Sequence, residues 1–248
     1  MATAKEIVVK VIPSNIANEF VKKTHYSGKV VNNSKLHFGV FLNGVLHGVM
    51  SYGSPMDKSK VIGLVDTGLT YNQAWNSMLE LNRMAFDDVL PKNSESRALA
   101  ISFRLLKKNA PHIKWILSFS DGTASGDGTI YRASGFALTK ITPNGTIWEF
   151  PNNERVARMT WDSADASARS VLASRLYPDG EVDLSKWANM AFKDMGGKPA
   201  SGFQLRYIKL LDPTAKLKCD TIPFTKIDEI GAGMLRGKRV TRLSRQGQ

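Results

Sequence analysis

The sequence predicts an α/β protein: a mixed central sheet, helices on its faces, and an extension at the C-terminal end. Three observations predict it. Over residues 1–150, strand-like and helical runs succeed one another in the order β, α, β, β, β, α, β, α, β. Asn43-Gly44 lies between two apolar runs and marks a tight hairpin. The segment "SESRALAISFRLLKKN" carries apolar side chains around a wide arc, as a helix packed deeply on a sheet requires.

Taken in order, "EIVVKVI" (6–12) is β-branched and reads as a strand. Pro13-Ser14 opens a helix with Ser14 as its N-cap and Ile16, Phe20 and Val21 as its buried stripe. "LHFGVFLNGVLHGVMSYG" (36–53) is the hairpin, "SPMDKSKVIGLVDTG" is irregular, and "MLELNRMAF" (78–86) is a further strand. The long helix comes next, with Lys107-Lys108 at its negative C-terminal end. "KWILSFSD" (114–121) is a strand, and a short helix lies near "TIYRASGF". A second Asn-Gly turn, Asn144-Gly145, divides strand-like runs in "ALTKITPNGTIWEF". Beyond about residue 160, "SADASARSVLASRLYP" and "SKWANMAFKDMG" read as helices and "GFQLRYIKLL" as a strand. The expected organisation is a core over 1–155 and an extension over 156–248 that packs on it and ends in a basic tail.

Lys and Arg number 34 against 22 Asp and Glu, a formal net charge of +12 over 248 residues. That surplus points to a polyanionic partner, nucleic acid first; a basic protein with no such partner is the plain alternative. No strongly amphipathic basic helix speaks for a membrane surface. The single cysteine, Cys219, excludes an internal disulfide and a cysteine-based zinc site, and fits a reducing cytoplasm. The apolar run near the N-terminus is too short for a signal peptide, and no stretch approaches the length of a bilayer span. A soluble, cytoplasmic protein is expected.

The stretch "FSDGTASGDGTIYRASGF" (119–136) concentrates candidate chemistry. Asp121 ends a strand, where α/β proteins place reactive groups, or it starts an Asx-turn. Gly122, Gly126 and Gly128 leave room for a ligand or DNA strand near the backbone, or form a plain linker. Tyr131 is a proton donor, a stacking platform for a base, or a core aromatic. His25-Tyr26 closes the first helix: a base or metal ligand, or a pair packing on the hairpin. Glu80 and Asn82 share one face of a strand with Arg83 on the other, which suits a cleft role for Asn82 or Arg83 or a buried ion pair. An iron site of the two-histidine, one-carboxylate kind at His25 and Asp121 requires another histidine, with His37, His47 and His112 available, and a His-Tyr-Asp set is the non-standard alternative.

A strand, a helix opened by small polar residues, a second strand and then "IYRASGF" resembles the acyl-CoA N-acyltransferase (GNAT) fold. Tyr131, Gly135 and Phe136 are similar to that family's A-x-x-x-Y-x-x-x-G-F segment. Its phosphate-binding signature, R/Q-x-x-G-x-G/A, is replaced here by "LPKNSESRALA", without the glycines. Asn93, Ser94 and Ser96 remain as a candidate anion site for an acyl-CoA-type donor. A narrower resemblance covers about residues 20–150. "THYSG" before the hairpin, "LELNRM", "SFSD" and "GDGTIYRASGF", in this order, look like the phage Mom proteins. This resemblance implies a transferase that converts adenine in double-stranded DNA to a methylcarbamoyl derivative and so blocks restriction, inside the host cytoplasm. It implies His25, Tyr26, Asp121 and Tyr131 as functional residues. Lys29, Lys35, Arg236, Lys238 and Arg239 are then the candidate phosphate contacts. Two other functions fit the same scaffold: an acetyl-CoA-dependent N-acetyltransferase acting on a small amine or protein, and a DNA-binding protein without catalysis.

Overall fold

The computed structural model describes residues 2–25, 27–123, 126–235 and 238–239. The mixed sheet expected from the sequence is present and has seven strands. In chain order they are β1 (Val8–Val11), β2 (Ser34–Leu42), β3 (Val45–Gly53), β4 (Met78–Phe86), β5 (Trp115–Asp121), β6 (Ala137–Pro143) and β7 (Phe203–Leu210). In space they lie in the order β1-β2-β3-β4-β5-β7-β6. The neighbours are antiparallel except β4 and β5, which are parallel. Residues 203–210, from the part read as an extension, therefore sit inside the sheet between β5 and β6.

Three helices frame the sheet and its open end: α1 (Ser14–Thr24), α2 (Ser94–Asn109) and α3 (Thr129–Ala133). Alternate residues of β3 feed two separate cores. Val49 joins Ala17 and Val21 of α1, while Met50 and Tyr52 join Ala98, Leu99, Phe103 and Leu106 of α2. Side chains of a strand alternate between faces, so α1 and α2 cover opposite sides of the sheet. Tyr52 brings a hydroxyl into the α2 core, where it bonds Ser102 Oγ at 2.7 Å. The pairing satisfies two buried polar groups at once.

Local chemistry explains most boundaries. The β2–β3 hairpin turns on Asn43 (φ 50°) and Gly44 (φ 81°), the two left-handed residues of a type I′ turn. Helix α1 starts one residue earlier than expected, with Ser14 inside it and Pro13 at the cap. Its buried positions are Ala17 and Val21, one turn apart, and Ile16 is 43% exposed. Asn144-Gly145 does not make a hairpin. Asn144 Oδ1 accepts from the N–H groups of Thr146 and Ile147, and its amide donates to the Ile147 and Ala200 carbonyls. The side chain thereby sends the chain out of the main sheet and into a second one.

That second sheet joins Ile147–Glu149, Arg155–Ala157 and Lys198–Pro199. Helices at Arg158–Asp162, Ala166–Leu176 and Ala188–Asp194 accompany it. The lobe has its own core, in which Trp148, Phe150 and Trp161 meet the Phe192 ring edge-on at 5.1–5.8 Å. Among the described residues, no helix is long and apolar enough to cross a membrane.

A β-bulge interrupts the β3–β4 ladder. Ser51 pairs with Arg83 and Tyr52 with Leu81, so Asn82 is the extra residue. The expected alternation of Glu80, Asn82 and Arg83 is broken there. Gly53 makes the bulge possible. A Cβ on Gly53 would overlap the Asn33 carbonyl and lie 2.7 Å from Asn82 Oδ1. Gly53→Ala should therefore push β3 off the Asn33 backbone beside β2, displace the Asn82 side chain and lower stability by roughly 1–3 kcal/mol, as overpacking does. Denaturant unfolding of this variant beside Gly63→Ala, whose added Cβ meets nothing within 4 Å and whose φ is not left-handed, checks it: an unperturbed Gly53→Ala protein would show that the bulge tolerates the extra atom.

Candidate functional site

Strands β4 and β5 pair only at Met78–Trp115, Leu79–Ile116 and Glu80–Leu117. Beyond Glu80 the bulge holds β4 to β3, and β7 holds β5 as far as the Asp121–Gln204 pair. The two parallel strands therefore part toward their C-terminal ends. A cleft of about 1090 Å³ opens there, at the place where open α/β sheets commonly take ligands. Its walls include Glu80, Asn82 and Arg83 of β4, Phe119 and Asp121 of β5, and Tyr131 of α3. His25 and Lys29, beyond the end of α1, and Arg155 of the second lobe complete the rim.

His25 ends α1. Its backbone N–H still donates to Val21 O at 2.9 Å, but its own backbone is extended, which stops the helix and turns the ring into the cleft wall. Nδ1 accepts the Ser27 backbone N–H at 3.2 Å and lies 2.8 Å from Ser27 Oγ. A backbone N–H can only donate, so Nδ1 is the acceptor and the neutral ring carries its proton on Nε2. Burial is the main reason the His25 pKa falls to about 4; the Arg83 charge adds to the fall and the Asp121 carboxylate opposes it. At neutral pH the ring is a neutral hydrogen-bond donor through Nε2.

Asp121 Oδ1 accepts from the Thr123 N–H at 2.9 Å and the Thr123 hydroxyl at 2.6 Å. The Asx-turn reading and the cleft reading are therefore both met: the carboxylate that opens the loop also lines the cleft. The loop is closed by Ser120 Oγ, which donates to Gly126 O at 2.6 Å. Gly128 (φ 76°) serves internal packing rather than leaving space, since a Cβ there would sit 2.6 Å from the Tyr207 ring. Tyr131 lies between Phe136 and Tyr207, with ring centroids at 5.2 and 5.1 Å. It is half-buried, with a packed ring and a position on the cleft wall.

Glu80 stands where the strands begin to part. Burial pushes its pKa up to about 7, against the lowering effects of the Asn82 side chain and the Arg83 charge. Arg83 donates from Nε to Lys29 O at 3.1 Å and from Nη1 to Asn82 O at 2.9 Å, so it fastens the segment after α1 to the bulge. Asn82 Oδ1 accepts from Ser34 Oγ at 3.1 Å. Arg155 donates to Thr123 O at 3.2 Å and pairs with Glu149, which ties the second lobe to the loop after Asp121. Sequence reasoning did not single out Arg155, and it gave the cleft role on β4 to Asn82 or Arg83 rather than to Glu80. The signal for Glu80 was a lone carboxylate in the otherwise apolar "MLEL"; Arg155 carried none, because its role depends on how two distant segments meet.

Of the other expected site residues, His25, Lys29, Asp121 and Tyr131 share the cleft, and Tyr26 and Arg236 lie outside the described residues. Lys29 Nζ donates to Thr160 Oγ1 at 3.4 Å, and Lys35 is exposed on β2. Lys238 and Arg239 form a two-residue strand against Met234–Leu235. At the start of α2, Ser94 is fully buried and Ser96 Oγ donates back to Asn93 O at 3.1 Å. The hydroxyls expected to meet a donor's phosphates are thus turned to the core or to their own cap. No group of three or more His, Cys, Asp or Glu among the described residues could hold a metal ion. His25 and Asp121 gain no third ligand of those types there, while Tyr26, the neighbour of His25, lies outside the described residues.

The sequence is 35% identical over 136 residues to the methylcarbamoylase Mom of Escherichia phage Mu, 54% of this chain and 53% of the phage Mu protein. The chain thus spans about half the length of the curated relative it matches. Among solved structures, a polyamine N-acetyltransferase of Drosophila melanogaster superposes with a TM-score of 0.44 at 8% identity, covering 82% of this chain and 99% of that one. A GNAT-family acetyltransferase of Elizabethkingia anophelis, solved with acetyl-CoA bound, gives 0.43 at 12% identity over 83% and 98%. The sequence model of the Mom protein family matches residues 6–226, nearly the whole described chain. The chain belongs to the Mom protein family.

Proposed function

We propose that this protein is a DNA-modifying transferase that adds a methylcarbamoyl-type group to the exocyclic amine of adenine. The observation that carries this reading is the single cleft shared by His25, Asp121 and Tyr131, although His25 lies far from the other two in sequence. All three come from the segments that most resemble the phage proteins. The match to the family over most of the chain supports the same reading.

The adenine amine is a poor nucleophile because its lone pair is delocalised into the ring. Attack needs an activated electrophile and removal of one proton. In the proposed step the bond from the amine nitrogen to the donor's electrophilic carbon forms, the donor's leaving group departs with its electron pair, and one amine proton passes to Glu80. A carboxylate with a pKa of about 7 is matched to that task at neutral pH. His25 donates through Nε2–H to the oxygen on which charge grows. Asp121 accepts the second amine proton in a hydrogen bond and orients the nucleophile, and the Tyr131 ring stacks on the base. The target base leaves the duplex stack to reach the cleft, at a cost of a few kcal/mol. Lys29 and Lys35, together with the C-terminal basic residues, attract the phosphates. An acyl-CoA-type donor fits the scaffold class, and its phosphates find backbone N–H groups rather than hydroxyls at the start of α2.

The test is mass spectrometry of nucleosides from cells that express the protein, with modified adenosine expected. Unmodified nucleosides together with acetyl-CoA turnover on a small amine would replace this reading by that of a conventional acetyltransferase. Asp121→Asn keeps an oxygen for Thr123 and removes the charge. The variant should fold, bind DNA and lose at least about 10²-fold in modification, the scale of a catalytic acid–base group. Normal levels of modified adenine in this variant would reduce Asp121 to a turn former.

Glu80 gives a pH signature. Its folded pKa is raised above the ordinary 4.5, so the native state holds a proton that the unfolded chain releases between about pH 4.5 and 7. Stability contributed at this position falls as pH rises through that window. Glu80→Gln should therefore stabilise the protein at pH 8 relative to pH 4, while removing the rise of modification rate with pH near 7. Thermal denaturation at the two pH values and a pH–rate profile read the two effects separately. A rate profile unchanged by the substitution would exclude Glu80 as the proton acceptor.

A further inference from the structure

The large apolar side chains that line the cleft between β4 and β5 are buried or half-buried, with one exception among the described residues. Met56 lines the cleft and is 72% exposed, more than any other large apolar side chain among the described residues. Val61, Met84, Phe119, Ile130 and Ile147 share the lining and are each partly covered. A side chain that lines a cleft and still lies mostly in solvent stands at the mouth and not on the floor. Single exposed apolar residues are ordinary on a protein surface, so exposure alone assigns nothing. The way Met56 is mounted is the second observation.

Met56 follows the end of β3 and precedes a short helix at Lys58–Val61. On one flank Pro55 is buried, and the Ser54 carbonyl accepts from the Asn33 side-chain amide. On the other flank Asp57 accepts from the Ser59 hydroxyl at 2.8 Å and pairs with Lys60 at 2.5 Å. Lys58 is buried, with its ammonium 5.1 Å from the centre of the Trp75 ring. The chain is thus fastened on both sides of one residue, and only that residue's side chain is left in water. Such an arrangement gives up the free energy of burying a methionine and holds an apolar group at a fixed point of the cleft mouth.

We propose that Met56 is a wedge: on duplex binding it enters the base stack beside the target adenine and fills the space left as the adenine turns into the cleft. The inference rests on the reading of this cleft as the place where adenine is modified. Extrusion unstacks a base from both neighbours and orphans its partner, and an unfilled gap lets the base fall back. Apolar side chains, methionine among them, are the groups that proteins insert between base steps. Methionine is unbranched and flexible enough to pass between bases, and its thioether makes favourable contacts with aromatic rings. A wedge has to stand beside the path of the base, and the cleft mouth is that place. Lys29 and Lys60 also line the cleft, and their charge favours a backbone phosphate beside the mouth.

Permanganate oxidation of thymines in plasmid DNA tests it, because the thymine opposite an extruded adenine loses its partner and becomes reactive. The target sequence need not be known. At concentrations of the full chain that saturate the plasmid, the unaltered protein should make discrete thymines reactive. Met56→Ala should lower that reactivity by about tenfold or more, the scale of burying one methionine side chain. Met56→Leu should restore it. The position is exposed, so neither change should move the melting temperature. Val171→Ala alters a side chain that is 69% exposed on the second lobe and outside the cleft lining, and should leave reactivity unchanged. Equal reactivity with Met56→Ala and the unaltered protein, or no reactive thymine beneath the bound unaltered protein, overturns the proposal. Mass spectrometry of nucleosides from plasmids grown with each variant separates the wedge from the reading it rests on. Thymine reactivity that depends on Met56, with no modified adenine, upholds the wedge and overturns the transferase reading. Normal levels of modified adenine from Met56→Ala overturn the wedge and leave the transferase reading intact.

Discussion

The short parallel contact between β4 and β5 governs this molecule. Every other neighbour in the seven-stranded sheet is antiparallel, so this is the one seam where two strands run the same way. Three residue pairs hold it, and then each strand stays with its other neighbour. The bulge at Asn82 keeps β4 on β3, and the long ladder with β7 keeps β5 on the far half. A sheet that parts in this way exposes backbone and side chains that a closed sheet would bury. It does so without losing its core, because α1 and α2 cover the two faces independently. The cleft is a consequence of pairing, and the side chains in it are those that the pairing pattern happens to expose.

Burial then decides what those side chains do. His25 and Glu80 share one cleft, and desolvation disfavours the charged form of each. For the imidazole this lowers the pKa; for the carboxyl it raises it. Arg83 lowers both, which deepens the effect on His25 and moderates it on Glu80. Near neutral pH the cleft therefore combines a neutral donor with a carboxyl near its midpoint. A histidine with a pKa of about 4 and its Nδ1 already committed to the Ser27 N–H is poorly suited to accept a proton. In the reaction proposed above, this argument gives the base role to Glu80 rather than to His25.

Much of the fold was legible in the sequence because its signals are local. The strand at 78–86 and the helix at 94–109 match their expected bounds, since periodicity and end residues agree there. The first hairpin was legible because Asn43-Gly44 needs two left-handed residues and little else. Asn144-Gly145 misled for the opposite reason: a side chain that can bond its own backbone made a different turn from the same dipeptide. The strand at 203–210 was legible as a strand, but its place between β5 and β6 was not. Nothing in "GFQLRYIKLL" states which partners, distant in the chain, it will pair with. The site was legible to the same depth. His25, Asp121 and Tyr131 sit at element ends that motifs mark, whereas Glu80 becomes interesting only once the strands part.

The second lobe bears on how a large substrate meets the cleft. It leaves the main sheet at Asn144 and returns to it at Phe203, so both of its connections run through the end of the sheet where Asp121 lies. Arg155 fixes it to the Thr123 carbonyl and Lys29 touches its Thr160, contacts that bridge the two sides of the cleft mouth. These are polar and partly exposed contacts, each worth about 1 kcal/mol or less, unlike the aromatic core inside the lobe. The lobe thus has an apolar core of its own and meets the cleft rim through polar contacts. The duplex proposed as substrate needs a mouth that can adjust without disturbing the cleft wall. An internal core separate from the polar rim contacts suits that, because the residues given roles in the proposed reaction stand on β4, β5, α3 and the end of α1 and not on the lobe.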